Sequence, residues 1–230
     1  MTTDNPSDQR RRFLGSVTAV TAAALSAGAV IPSAQAAEPK PADAKPGGGT
    51  EFERWLDTIP GKHRQVYDLP QPHDGMGLMW SHVFLLTGAQ GYALPESEFG
   101  VVLVLRHAAI PLAMGDGVWA KYRFGELFKI DDPQTKAAAL RNPFVNLKPG
   151  DLPLPEAALE KLIARGVKVA LCGMAIHHYS LMVAARDKGD AEAIKKEWLA
   201  AVLPGVHVAP SGVVAVHGAQ ARGCTYCFAG

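Results

Sequence analysis

Short apolar runs alternate with longer periodic ones from Phe52 onward, which predicts an α/β domain. The expected architecture is flavodoxin-like and doubly wound: a mainly parallel sheet of about five strands with helices on both faces. Three observations carry this. Val101-Val102-Leu103-Val104-Leu105 is apolar on both faces, as a central strand of a parallel sheet must be. In the last third of the chain, helical and extended patterns follow one another at crossover spacing, which implies right-handed βα units. Finally, the 194 residues that follow Ala36 are enough for one domain with a full core and rather few for two.

The first 36 residues are expected to address the protein and take no part in its fold. Arg10-Arg11-Arg12-Phe13-Leu14-Gly15 precedes an Ala-rich apolar run from Val17 to Val30 and the triplet Ala34-Gln35-Ala36. This pattern is that of a twin-arginine export signal with a small-residue cleavage site. The run is short and rich in Ala, Gly, Ser and Thr, a poor membrane span; a retained anchor is the alternative. The implied destination is the periplasm or another extracytoplasmic space, reached through the twin-arginine translocase, a route that carries folded proteins.

The leader takes three arginines and two aspartates out of 23 basic and 22 acidic residues, which leaves 20 of each. A zero balance offers no electrostatic footprint for nucleic acid or an anionic bilayer. Residues 37–51, with Pro39, Pro41, Pro46 and Gly47-Gly48-Gly49, read as a flexible linker. Residues 52–230 then form the single domain.

His63 to Leu69 is the first candidate strand. After Pro70 and Pro72 a helix is expected from about Gly77 to Gln90, stopped by Gly91, and Val101 to Leu105 follows as the central strand. The stretch from Ile110 to Leu154 is interrupted by Gly and Pro, and reads as an irregular insertion. Within it, Asp132-Pro133 predicts a short helix reaching Arg141, with Asp as N-cap and Pro at the first position. Pro155 opens a helix with Leu159, Leu162 and Ile163 on one face and Gly166 as its stop. The strand Val167 to Leu171 ends at Cys172-Gly173. Asp190 caps a helix in which Ile194, Trp198, Leu199 and Val202 share a face, and Leu203-Pro204-Gly205 breaks it. A strand from Val206 to Ala209 leads through Pro210 to Ser211, which caps a helix reaching Arg222. Gly223 stops that helix, and Cys224 to Phe228 is the last strand.

Ligands of such sheets bind at the carboxyl ends of the strands. The residues delivered there are His107, Cys172 and Pro210-Ser211. A thiol beside Gly173, at the start of the following helix, meets backbone N–H groups and the positive end of a helix dipole, both of which favour a thiolate. His107 on the neighbouring strand end would add positive charge or act as a base. The alternative is a buried structural cysteine.

Gly166-Val-Lys-Val-Ala-Leu-Cys172-Gly173, then Leu203-Pro-Gly-Val-His-Val-Ala-Pro-Ser-Gly-Val213, a helix and a closing Gly223-Cys-Thr-Tyr strand together resemble the DsrE/DsrF-like sulfur-relay family. The resemblance covers roughly residues 155–229 and is looser from His63 to Leu105. It implies a cysteine that carries sulfur as a persulfide, here Cys172, with Gly173 and Ser211 as binding positions beside it. It also implies self-association as trimers or hexamers and a sulfur donor or acceptor protein as partner. Two features depart from the family: the export address, and the insertion around Trp119-Ala-Lys-Tyr122 and Asn142-Pro-Phe144.

Cys224-Thr-Tyr-Cys227 has the spacing of a redox motif, but in a strand residues three apart lie about 10 Å apart and point to opposite faces. A disulfide needs Cα atoms within roughly 7 Å. Haem attachment fails because Phe228 stands where histidine is required. Zinc would need His207 and His217 as further ligands. Either cysteine is open to pairing with Cys172 across strands, since export permits disulfides. His82, His107, His177 and His178 show no helical zinc spacing, and Met114, Met174 and Met182 read as core fillers or as an extension of a copper site. No metal ligand is assigned. The leading expectation is a thiol-based sulfur carrier or sulfurtransferase-like protein acting through Cys172 with His107. The alternatives are a module binding copper, zinc or a small ligand at the same edge, and a structural subunit of an oligomer.

Overall fold

The computed structural model describes residues 49–230; the expected leader and residues 37–48 of the expected linker lie outside them. The end of that linker is corrected, because Thr50 and Glu51 belong to the domain. Thr50 caps helix α1 (Glu51–Asp57): its hydroxyl accepts from Glu53 N–H, and the Glu53 carboxylate accepts from Thr50 N–H. This reciprocal capping box satisfies two of the donors that a helix start leaves free.

The chain continues through β1 (His63–Leu69), α2 (Met76–Tyr92) and β2 (Phe99–Leu105). A 3₁₀ segment (His107–Ala113), α3 (Asp116–Tyr122), α4 (Phe124–Phe128) and α5 (Leu159–Ala164) precede β3 (Lys168–Cys172). Then come α6 (Gly173–Asp187), α7 (Ala191–Ala200), β4 (Val206–Ala209), α8 (Gly212–Gln220) and β5 (Thr225–Phe228).

The five strands are all parallel, in the order β4-β3-β2-β1-β5. This is the expected flavodoxin-like α/β architecture. The apolar run seen in the sequence is the middle strand, and all seven residues of β2 are buried. Alternation along the strands divides the core in two. Leu69, Val101, Leu103, Leu105, Val169 and Leu171 point into the larger half, with the apolar sides of α2, α5, α6 and α7. Val66, Val102, Val104 and Ala170 point into the smaller half, against Leu56, Ile59, Ala215 and Ala219 from α1, its following turn and α8. Strands β1 to β4 therefore step across the sheet with their connections on one face. Only α8 crosses on the other, and it returns the chain to place β5 beside β1.

The connection between β2 and β3 is irregular, as expected, but much of it is core. Trp119 and Phe124 are fully buried, and Phe124 meets Trp198 of α7 edge-on at 4.8 Å between centroids. The helix expected from Asp132-Pro133 to Arg141 is absent. Asp132 Oδ1 does accept backbone N–H groups, from Gln134 and Thr135, but the turn it closes reverses the chain. Lys136 takes a left-handed φ of 57°, and Asp132 N–H and Ala139 N–H donate to Ala137 and Ile130, which draws residues 130–139 into a narrow antiparallel loop. Side chains that cap helices also close such turns. Pro155 likewise opens only a 3₁₀ turn (Pro155–Ala157); α5 begins at Leu159, after the extended backbone of Ala158.

Two polar residues organise this connection. Asn142, 1% exposed, donates from Nδ2 to the carbonyls of Leu112 and Met114 at 2.9 Å and of Pro111 at 3.3 Å, and its Oδ1 accepts from Phe144 N–H. Arg141 forks onto Asp151 at 2.6 and 2.7 Å and reaches Asp132 with Nε at 3.0 Å. No helix among the described residues is long and apolar enough to cross a membrane.

Candidate functional site

At the carboxyl edge of the sheet, β3 leaves into α6 on one face and β4 leaves into α8 on the other. Strand exits that diverge in this way open a crevice between them, the usual ligand position in open parallel sheets. A cavity of about 520 Å³ occupies it. Cys172, His107 and Ser211 line it together, with Arg106, Tyr179 and the exposed Met174.

Cys172 ends β3 and is the N-cap of α6. Its Sγ accepts from Ala175 N–H at 3.3 Å, and the residue is 6% exposed. A sulfur in the capping position of a 15-residue helix sits where negative charge is accommodated. It is at once buried and on the cavity wall. Ser211 has the same role one strand over: its Oγ accepts from Val214 N–H at the start of α8.

His107 follows β2 with a left-handed φ of 48°, an uncommon conformation for a residue with a Cβ. Its imidazole is directed to Tyr179 of α6, with Nδ1 and the phenol oxygen 3.2 Å apart, rather than to the thiol. Burial pushes the Tyr179 phenol upward, which keeps its proton available for that bond. Of the adjacent pair on α6, His178 reaches the cavity and His177 does not.

Gly173 does not join this group. It lines a neighbouring depression beside β4, with Ile176 and His207. A Cβ on it would stand 2.9 Å from the Ala209 carbonyl oxygen, so its small size serves the close approach of α6 to β4. The structure thus places Gly173 in the neighbouring depression and outside the Cys172 cavity.

Arg106 and Tyr179, which line the cavity, and Asp68, which does not line it but holds Arg106, are the residues that the sequence reading missed. Asp68, the next-to-last residue of β1, is almost fully buried, and Arg106, one residue past β2, binds both of its carboxylate oxygens, at 2.6 and 3.0 Å. Tyr226 of β5 donates to the same carboxylate at 2.9 Å. The hydrogen bond with Asp68 is the main reason the guanidinium is held even more firmly charged than usual. The available signal was the position of each charge at the end of an apolar strand.

The cysteines are all free. Pairing of Cys172 with Cys224 or Cys227 is excluded by topology: β2 and β1 stand between β3 and β5, which puts them roughly 14 Å apart, beyond the reach of a disulfide. Cys224 is buried in the smaller core half, and Cys227 packs beside Tyr67 and Trp80 on the other side. Desolvation raises both thiols. Among the described residues, no three His, Cys, Asp or Glu side chains gather as a metal site.

Fold and crevice thus define an α/β protein with one cysteine on the wall of a ligand-sized cavity. Comparison with protein-family models, with curated proteins and with solved structures finds no match.

Proposed function

We propose that the protein is a thiol-based sulfur carrier, sulfurtransferase-like in its chemistry, that holds sulfane sulfur as a persulfide on Cys172. One observation carries this reading: the only cysteine on the crevice wall caps α6 with its sulfur. A persulfide there would keep its terminal sulfur in the cavity and its negative charge near the first turn of the helix. His107 and Tyr179 stand on the same wall and would manage a proton.

The proposal extends to the setting that the sequence suggests: export through the twin-arginine route to the periplasm, self-association as a trimer or hexamer, and exchange of sulfur with a donor or acceptor protein. The step is a transfer of sulfane sulfur. With thiosulfate, the Cys172 thiolate attacks the outer sulfur, a new S–S bond forms, the old one breaks, and sulfite leaves with the bonding pair. Sulfide would not serve alone, because it lacks the oxidising equivalents.

Intact-mass spectrometry without reductant, after incubation with thiosulfate, is expected to show the addition of one sulfur atom that reductant removes and that Cys172→Ser abolishes. Cys224→Ser and Cys227→Ser should load like the parent. A parent protein that never gains sulfur, or a Cys172→Ser variant that still does, would overturn the reading.

A further inference from the structure

The wall of the Cys172 cavity carries an arginine whose donors are divided between two tasks. Nε and Nη2 of Arg106 are fixed on the Asp68 carboxylate, which Tyr226 also holds. Nη1 takes no partner among the described residues, and Arg106 lines the cavity. The plane of the fork is therefore set from outside the cavity while one edge of it is left for a ligand. No Asp or Glu lines the cavity to compete for that edge. The first N–H groups of α8, on Gly212 and Val213, open onto the same space and take no acceptor among the described residues, whereas the next, on Val214, is used by Ser211. The rest of the wall is made by the apolar Met174, Ala175 and Val213 together with the rings of His107, His178 and Tyr179.

Such a cavity suits a small ligand with an anionic head and an apolar body. Resting on the sulfur-carrier reading, we infer that the donor is a small organic anion bearing sulfane sulfur, of the thiosulfonate type, with Arg106 holding its sulfonyl oxygens. The Cys172 thiol gives its proton to solvent, and the thiolate attacks the terminal sulfur of R–SO₂–S⁻. The Cys172–sulfur bond forms, the bond between the two donor sulfurs breaks, and the sulfinate leaves with the electron pair. The donor supplies the oxidising equivalents, so no further oxidant enters. Arg106 and the α8 amides stabilise the charge that the departing sulfinate gathers on its oxygens.

Binding and transfer can be read separately on the full chain. Benzenesulfonate, an inert anion of the same shape, should slow alkylation of Cys172 by neutral iodoacetamide, as mapped by peptide mass spectrometry. Benzenesulfonamide, which has the same body without the charge, should need about tenfold more for equal protection, the scale of one charge-assisted hydrogen bond. The double variant Asp68→Asn/Arg106→Gln keeps a neutral hydrogen-bonded pair and so avoids a stranded buried carboxylate. It should lose the preference for the anion, read as the ratio of protection by the two compounds with each normalised to the variant's own unprotected alkylation rate. Equal protection by the two compounds in the parent protein, or no protection by either, would overturn the inference without any mutant. Benzenethiosulfonate should load one sulfur on Cys172 of the parent, and the double variant should need about tenfold more of it. Protection without loading would leave an anion site and overturn the carrier reading; loading without a preference for the anion would keep the carrier and overturn the role of Arg106.

Discussion

The crevice at β3 and β4 and the long connection between β2 and β3 lie near the same edge of the sheet, yet they are held in different ways. In the crevice, each strand runs directly into a helix, and the turn is made by one capping side chain, Cys172 for α6 and Ser211 for α8. These caps are local. The connection has few regular elements, and its order depends on polar side chains that reach across it: the buried Asn142 to four backbone groups, and the half-buried Arg141 to two carboxylates. Removing a local cap costs one hydrogen bond, whereas removing a central polar residue withdraws a bond from all its partners at once. The site is therefore expected to tolerate change better than the scaffold beside it.

The sharpest test of that contrast is Arg141→Ala, which leaves Asp151 and Asp132 without their cation. A loss of about 3–5 kcal/mol is expected in denaturant unfolding. Burial alone would raise both carboxyls, but hydrogen bonds and the Arg141 charge outweigh it and hold them below their ordinary value of 3.8. Their contribution is therefore complete above that value and disappears as the pH falls through the lower folded values. The variant should show a flatter decline of stability below about pH 4 than the parent. Next, Asn142→Ala leaves the Leu112 carbonyl and Phe144 N–H without partners and takes one of two donors from the carbonyls of Pro111 and Met114; it should cost roughly 2–3 kcal/mol, with the iodoacetamide reactivity of Cys172 in the folded state unchanged. If instead Cys172 reactivity changes greatly, the two regions are coupled and the contrast fails.

On the crevice side the effects are smaller. Gly173→Ala forces its new methyl towards the Ala209 carbonyl, and about 1–2 kcal/mol is expected from the displacement of α6 against β4. Here the alkylation rate of Cys172 should change, because its capping geometry moves with the helix. Ser211→Ala removes one cap and should lower stability by about 1 kcal/mol; a loss as large as that of Asn142→Ala would show that the crevice is not locally held.

The same contrast explains how much was legible in the sequence. His63–Leu69 and Val206–Ala209 are bounded as expected, because apolar runs end at Pro and Gly there. Asp190 and Ser211 cap as expected, since each stands before a helical pattern with nothing competing for its side chain. The residues 130–139 misled because an Asp-Pro pair begins a helix and closes a reversing turn with the same hydrogen bonds. Asn142 gave no signal at all: a buried asparagine looks like a surface one until its acceptors are gathered from 28 to 31 residues away. At the site, Cys172, His107 and Ser211 were legible because strand ends converge by topology. Tyr179 was not, since its reach to His107 needs both the face of α6 and the left-handed turn after β2. Arg106 and Asp68 were not, since each reads as an ordinary charged residue until β1 and β2 stand side by side.

The pairing of β5 with β1 also bears on how the chain is made. Gln65 pairs with Thr225, and the ladder runs to Asp68 with Phe228, so the earliest strand synthesised acquires its outer neighbour only when the last has emerged. Until then Asp68 lacks Tyr226, and one side of β1 is an open edge. Contacts so distant along the chain form slowly, and a nascent chain stalled or clipped before Thr225 would expose that edge to other chains. Completion of the sheet on the β1 side thus waits for β5, the last of the described strands, to be made and docked.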